Sequence, residues 1–464
     1  MSLGLYISVP FCRTKCSYCN FASDVFSKSA YENYVARLLE DIANSRQLAS
    51  QLGCGFEETA DSIYLGGGTP SILDAPQLLR IFAAVRGEFT IAPDAEITVE
   101  CAPGTLTSAL IETLLQCGVN RVSLGVQSFV DREAQSVGRL HNRLTVLDEI
   151  SRLREAGLAN INIDLIAGLP HQTAESWAFS VSETIATGVP HASIYMLEVD
   201  EDSRLGRELM AGGARYHAHF VPDDDATADF YQQAVETLAA AGIAQYEISN
   251  FARAAAHLQN EELQNSELQN NESRHNLKYW TRHPYLGFGV DSHSMLAVAH
   301  QNDDYHQAIR FATADSLDGY MNRAPRTVTP VSAQAAIEES FFLGLRLNRG
   351  IDLDLIRREI GSVPIDRGEN QGCVEQGGRA IFPGRDSRKT GAAWCSPDHN
   401  FIPETIAVWE SAIAQCVQDG LLEQQDTTLR LTARGRLLSN EVFARFLAET
   451  TAETKVGTGH VNPR

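Results

Sequence analysis

The sequence predicts an α/β fold: an incomplete (β/α)6 barrel resembling a TIM barrel, followed by a mostly helical, winged-helix-like C-terminal domain. Three observations predict it. Short apolar runs alternate with helical patterns through the first half of the chain, a glycine and then an apolar residue recur between helix and strand, and the composition turns helical past residue 330. Six strand–helix units at this spacing call for parallel strands with right-handed helical crossovers.

The strands are read at residues 5–9 (LYISV), 62–65 (SIYL), 96–99 (EITV), 121–126 (RVSLGV), 160–166 (NINIDLI) and 192–197 (ASIYML). Each is rich in Val, Ile or Tyr and too short for a helix. Between the first two, Tyr31, Tyr34, Val35, Leu38, Leu39 and Ile42 mark one helix face, with Ser29 and Glu32 spaced as a capping box. Asp74 can cap the next helix, with Pro76 in its first turn and Leu78, Leu79, Phe82 and Val85 on its face. Gly118-Val119, Gly157-Leu158, Gly188-Val189 and Gly242-Ile243 are helix stops, because glycine tolerates the left-handed conformation that ends a helix.

Two stretches break the rhythm. Residues 256–273 repeat LQN three times and read as a solvated low-complexity insertion. Residues 362–399, rich in Gly, Arg and Ser, read as a long excursion. A helix over 409–422, a turn at Gly420, a TLRLT strand and a helix to 447 suggest the winged-helix-type end. The expected division is a barrel core over 1–235, a connecting region over 236–328, a C-terminal domain over 329–448 and a flexible tail over 449–464.

The 464 residues carry 38 Lys and Arg against 59 Asp and Glu, a formal charge of −21, with 44% hydrophobic residues. That length suggests two or three domains, and the acidic balance argues against a nucleic-acid binder. No run of about 18 apolar residues exists to span a membrane. The opening MSLGLYISVPFC lacks the basic and apolar segments of a secretory signal, so the nine cysteines are expected to be thiols in a reducing cytoplasm.

Chemistry concentrates in PFCRTKCSYCNF, directly after the first strand. Cys12, Cys16 and Cys19, at offsets of four and three, can turn inward from one loop and hold three corners of a cubic [4Fe-4S] cluster. The fourth iron is then open to chelate the amino and carboxylate groups of S-adenosylmethionine. A zinc site would want a fourth ligand, and Cys16-x-x-Cys19 alone could be a dithiol redox pair; three thiols at a strand's carboxyl end favour the cluster.

This triplet resembles that of the radical S-adenosylmethionine (SAM) superfamily. Tyr6 stands six residues before the first cysteine, as in its coproporphyrinogen-oxidase branch, where the tyrosine contacts the methionine part of the ligand. Gly66, Gly67 and Gly68, followed by Thr69 and Pro70, form the glycine-rich turn after the second strand, where missing side chains let the backbone approach the ligand's amino group. The resemblance implies that Glu100 binds the cluster-linked S-adenosylmethionine. Gln127, Arg139 and Asp164 match positions that hold a second such molecule in the oxidase. From the residues alone, two acids, an amide and a guanidinium at successive strand ends face one mouth and can grip ribose hydroxyls and a carboxylate, although each could also cap a helix or form a surface pair.

Within the superfamily, two features point away from the oxidase. The oxidase has a fourth cysteine two residues past the triplet and a long amino-terminal arm; here Phe21 holds that position and eleven residues precede Cys12. His275-Asn276-Leu277-Lys278-Tyr279-Trp280 gives an HNxxYW motif, and this set looks like the HemW family of heme chaperones. The resemblance implies that His275 binds heme, which the protein would deliver to an acceptor protein, with an electron donor serving the cluster. On its residues alone the motif also reads as a structural histidine in a turn whose Tyr279 and Trp280 fill a domain junction. The family's usual GAHS is replaced by residues 290–294 (VDSHS), which leaves that loop's role open. Oxygen-independent coproporphyrinogen III dehydrogenase is the rival reading.

Overall fold

The computed structural model describes residues 2–254, 271–299, 306–362 and 401–447. Six parallel strands follow one another in space as in sequence: β1 (Leu3–Val9), β2 (Thr59–Gly67), β3 (Thr90–Cys101), β4 (Arg121–Gln127), β5 (Ile161–Ala167) and β6 (His191–Met196). β1 and β6 do not pair, so the barrel stays open. Beyond β6 the sheet continues antiparallel through β8 (Asn250–Arg253) to β7 (Ile243–Glu247). On the other side β9 (Tyr285–Phe288) runs parallel to β1, and β10 (His293–Ala297), β11 (His306–Ala312) and β12 (Thr327–Ser332) add an antiparallel wing. The α/β fold and the six-unit open barrel expected from the sequence are both present, and the residues between the barrel and the C-terminal helices extend its sheet to twelve strands.

The strands alternate. Leu5, Ile7, Ile63, Leu65, Val99, Val122, Leu124, Ile163 and Leu165 point outward into the main core, where Tyr34, Leu38, Leu78, Phe82, Val85, Ile150, Leu153 and Trp177 of the crossover helices cover them. Each such side chain removed from water contributes about 1.5–3 kcal/mol. The inward positions are polar: Tyr64, Thr98, Glu100, Arg121, Ser123, Asn162, Asp164, His191 and Ser193 line the interior. That period of two puts function on one face of each strand and adhesion on the other.

Helix boundaries follow their caps. Asp74 and Gln77 form a full capping box for Ala75–Glu88, with Pro in the first turn. The expected box at Ser29 does not form. Lys28–Ala43 starts two residues earlier, after Ser27, while Glu32 reaches across to Arg80 and Gln77 of the neighbouring helix. A tertiary ion pair has taken the side chain that local spacing assigned to the backbone. The four helix-stopping glycines adopt the left-handed conformation, with φ of +81° at Gly118, +93° at Gly157, +67° at Gly188 and +76° at Gly242.

A second core joins the helices Ala333–Gly344 and Phe401–Gln418 to a three-stranded sheet of β13 (Ile351–Asp352), β14 (Leu422–Gln425) and β15 (Thr428–Leu431). Phe341 stacks on Phe446 at 4.7 Å there. The strand at TLRLT and the turn at Gly420 are as expected, whereas β14, read as a helix end and loop, is drawn into a hairpin by β15. Both insertions fall almost wholly outside the described residues, as does the tail after 447. No helix among the described residues is long and apolar enough to cross a membrane.

Candidate functional site

The carboxyl ends of the parallel strands form the mouth, and the cysteine loop lies there. A short ladder closes the loop at its base, where Cys12 N donates to Asp24 O at 3.0 Å and Asp24 N to Pro10 O at 3.0 Å. Lys15 Nζ ties its middle to Ser23 O at 2.8 Å. The flanks are pinned by Thr14 Oγ1 donating to Gly138 O at 2.9 Å and by Leu205 N donating to Ser17 O at 2.8 Å. None of the three cysteines is in a disulfide; Cys16 is buried, and Cys12 and Cys19 are half-buried.

Polar donors meet two of the sulfurs. Thr69 Oγ1 donates to Cys12 Sγ at 3.7 Å and Arg139 Nη1 to Cys16 Sγ at 3.7 Å. Burial pushes the Cys12 thiol up, with the Thr69 hydroxyl opposing it. Among the described residues no three His, Cys, Asp or Glu side chains converge as the ligands of one ion must. A cubic cluster makes a different demand, because each thiolate takes its own iron.

The glycine turn sits against this loop. Gly68 N donates to Val9 O at 2.9 Å and Thr69 N to Phe11 O at 2.8 Å, which carries β2 past the end of β1. A Cβ on Gly68 would lie 2.7 Å from Val9 O, and Gly67 has φ +96°. Glu100 joins the turn to the barrel: its Oε2 accepts from Gly67 N at 3.2 Å and its Oε1 from Tyr64 OH at 2.9 Å. Tyr6 projects inward beside Tyr64, ring centroids 6.2 Å apart, with its hydroxyl near Gly67.

Gln127 ends β4 in a left-handed conformation, φ +69°, rare for a side-chain-bearing residue and a mark of functional constraint. Its Oε1 is buried without a hydrogen-bond partner, and so is Arg139 Nε. Arg139 folds back over β4, where Nη2 donates to Gly125 O. A Cβ on Gly125 would lie 2.8 Å from Arg139 Nη2 and 3.2 Å from Gln127 Nε2. This glycine is a positioning residue that the sequence reading missed, although a glycine inside a strand signals close approach. Two orphaned polar atoms, at about 1–3 kcal/mol each, mark a place where a polar ligand is wanted. The cysteine loop, the bare-backbone turn and these orphans fit a cluster with an adjacent polar ligand.

Asp164 pairs in register with Gly125, two residues closer to the carboxyl end of β4 than Ser123, the partner of Glu100. Its Oδ1 accepts from Asn162 Nδ2 at 2.7 Å and its Oδ2 from Ser123 Oγ at 3.0 Å. Burial raises its carboxyl pKa while these bonds lower it, with a net rise. Asn162 continues the chain to His191 Nδ1 at 2.6 Å, and His191 Nε2 lies 3.0 Å from Tyr246 OH. The cavity that this network leaves measures about 40 Å³, room for one or two waters.

His275 lies at the barrel floor, in the first turn of the helix Arg274–Trp280. Glu96 caps that turn, accepting from Arg274 N and His275 N at 3.2 Å each. The imidazole is 1% exposed. Its Nδ1 is 3.0 Å from Ser62 Oγ and its Nε2 2.8 Å from Tyr279 OH. Burial, then the nearby Lys278 ammonium, pushes its pKa down to about 3. Lys278 itself bridges Asp61 at 2.6 Å. His275, Lys278 and Tyr279 share one face of the helix, and Tyr279 and Trp280 fill the junction with the helix Ala333–Gly344, as the structural reading of the motif expected. As folded, His275 offers no free ring nitrogen, so ligating iron would require this helix to leave the floor. The loop at 290–294 is anchored by Tyr34 OH, which accepts from Val290 N at 3.2 Å and donates to Ser8 O at 2.6 Å.

Comparison with known proteins places these features. The model of the radical SAM superfamily matches residues 6–181. A heme chaperone HemW of Lactococcus lactis is 32% identical over 351 residues, covering 75% of this chain and 82% of that protein. A heme chaperone HemW of Bacillus subtilis is 28% identical over 445 residues, covering 96% and 99%. In structure, the coproporphyrinogen III oxidase HemN of Escherichia coli superposes with a TM-score of 0.71 at 21% identity, covering 96% of this chain and 90% of that one, a likeness of fold.

Proposed function

Because the chain belongs to the HemW family within the radical SAM superfamily, we propose that it is a heme chaperone, binding heme and passing it to an acceptor protein. The observation that carries this reading is similarity to a heme chaperone along 96% of the chain.

Cys12, Cys16 and Cys19 are proposed to hold a [4Fe-4S] cluster, and Thr69 and Arg139 to temper the charge on two of their sulfurs through the hydrogen bonds above. Tyr6, Gly67, Gly68 and Glu100 are proposed to receive S-adenosylmethionine, with the Gly67 N–H and the Glu100 carboxylate already fixed against each other. When bound, the pair supplies one-electron chemistry at a sulfonium carbon. The orphaned atoms of Gln127 and Arg139 support a polar contact beside that ligand, where a second molecule would lie. Asp164 is proposed to join Gln127 and Arg139 there, since it is level with Gly125 in the strand register and its carboxylate is held by Asn162 and Ser123. Cysteines outside any disulfide and available as thiolates for iron fit a reducing compartment, which supports a cytoplasmic location with a local electron donor.

Anaerobic reconstitution with iron and sulfide tests the cluster. Wild type is expected to bind about four irons and four sulfides and to give a reducible paramagnetic centre; Cys16→Ser is expected to lose both. Stoichiometric zinc without sulfide would end this reading.

A further inference from the structure

A second cluster of unused chemistry lies on the rim of the mouth. The loop after β5 brings His171, and the turn Ala218–Phe220, beyond the helix Arg204–Ala211, brings His217, His219 and Phe220. His171 N donates to Phe220 O at 2.9 Å, which joins the two loops. The rings form one patch: His171 and His219 each lie 4.1 Å from Phe220, and His217 lies 5.0 Å from His171. Phe220 is nevertheless 46% exposed.

The patch is built rather than incidental. The buried Glu208 carboxylate accepts from the backbone N–H groups of Arg215 at 2.8 Å, Tyr216 at 2.8 Å and Ala218 at 3.2 Å, fixing the turn from beneath. His171 and His217 both hold left-handed backbone, at φ +70° and +62°, which costs energy in a residue with a side chain. Leu209 and Met210, 53% and 61% exposed, lie on the adjoining helix. Arg132 and the exposed Arg215 supply positive charge on a chain of formal charge −21.

We propose that heme docks on this rim, its porphyrin face on Phe220 and its iron taken by the imidazole of His217 or His219. The proposal rests on the heme-chaperone reading and names the site for it. An apolar macrocycle, an iron that takes imidazole nitrogen and two propionates match an exposed phenyl ring, two imidazoles and two guanidiniums. His171 is a positioning residue. Its Nδ1 lies 3.2 Å from Arg132 Nη2, which can only donate. The neutral ring therefore keeps its proton on Nε2 and has no lone pair for iron. The buried alternative, His275, already spends both ring nitrogens on Ser62 and Tyr279.

The test is an anaerobic hemin titration of the full chain, followed by the Soret band. Wild type is expected to bind with the band of a histidine ligand. The double variant His217→Asn, His219→Gln keeps polar side chains, and Asn tolerates the left-handed position; it is expected to lose that band and bind at least tenfold more weakly. The two single variants identify the ligand, the one that loses the band carrying it. His293→Ala, an exposed histidine on β10, is expected to titrate like wild type. A double variant with the wild-type band and affinity would overturn the rim site and leave the chaperone reading standing. Wild type that binds no hemin would overturn both.

Discussion

At the scale of single residues, the mouth is decided as much by missing side chains as by present ones. Gly125 and Gly68 look alike in sequence but differ in what a methyl group would strike. On Gly125 it would meet the far ends of Arg139 and Gln127; on Gly68 it would meet the backbone of Val9 and Phe11. Gly125→Ala is therefore expected to leave the melting temperature nearly unchanged while pushing Arg139 off Cys16. S-adenosylmethionine binding by equilibrium dialysis should weaken about tenfold, some 1.4 kcal/mol. Gly68→Ala has no flexible neighbour to move and should cost about 1–3 kcal/mol of stability, read as a fall of several degrees in the same melt.

Titration follows the same local logic. His275 has a folded pKa pushed down to about 3, against about 6.5 in an unfolded chain. The unfolded state thus binds the extra proton first. Stability is fully present above pH 6.5 and falls as pH drops toward 3, by about 1.4 kcal/mol per pH unit for this one group. Urea melts at pH 7, 6 and 5 should show the decline, and His275→Asn should flatten it by one proton; an unchanged slope would mean that the imidazole is not held neutral in the core.

At the scale of elements, the repeated glycine stops can be weighed without interference from packing. A Cβ on Gly157, at φ +93°, would meet nothing within 4 Å. Gly157→Ala should then cost backbone strain alone, about 1–2 kcal/mol, with no change in cluster content. These stops, the Asp74 cap and the six strands were all legible in the sequence because they are local: a cap, a left-handed glycine and a period of two need only near neighbours. The box expected at Ser29 failed for the converse reason, since Glu32 found Arg80 on another helix. Likewise β14, whose LEQQ has little strand propensity, exists because Thr428–Leu431 folds back beside it.

At the scale of the whole molecule, the sheet has an adhesive outside and a polar inside, closed below by the helix that carries HNLKYW. A polar network runs from Asp164 through Asn162 and His191 to Tyr246 across that inside. On the carrier reading, anaerobic incubation with coproporphyrinogen, S-adenosylmethionine and a reductant is expected to give no protoporphyrinogen. Turnover would favour the oxidase reading over the carrier.

The sequence by itself determined the open barrel, the sulfur triplet at its mouth and the identity of most mouth residues, because strand periodicity and short-range spacing are written along the chain. Only the tertiary structure decided two things: that Arg139 reaches a thiol 123 positions away, and that the histidine of HNLKYW is sealed in the floor while His171, His217 and His219 gather outside. The reason is physical. Side-chain depth and partnership depend on which distant elements pack together, and contacts between residues far apart in sequence leave no local pattern to read.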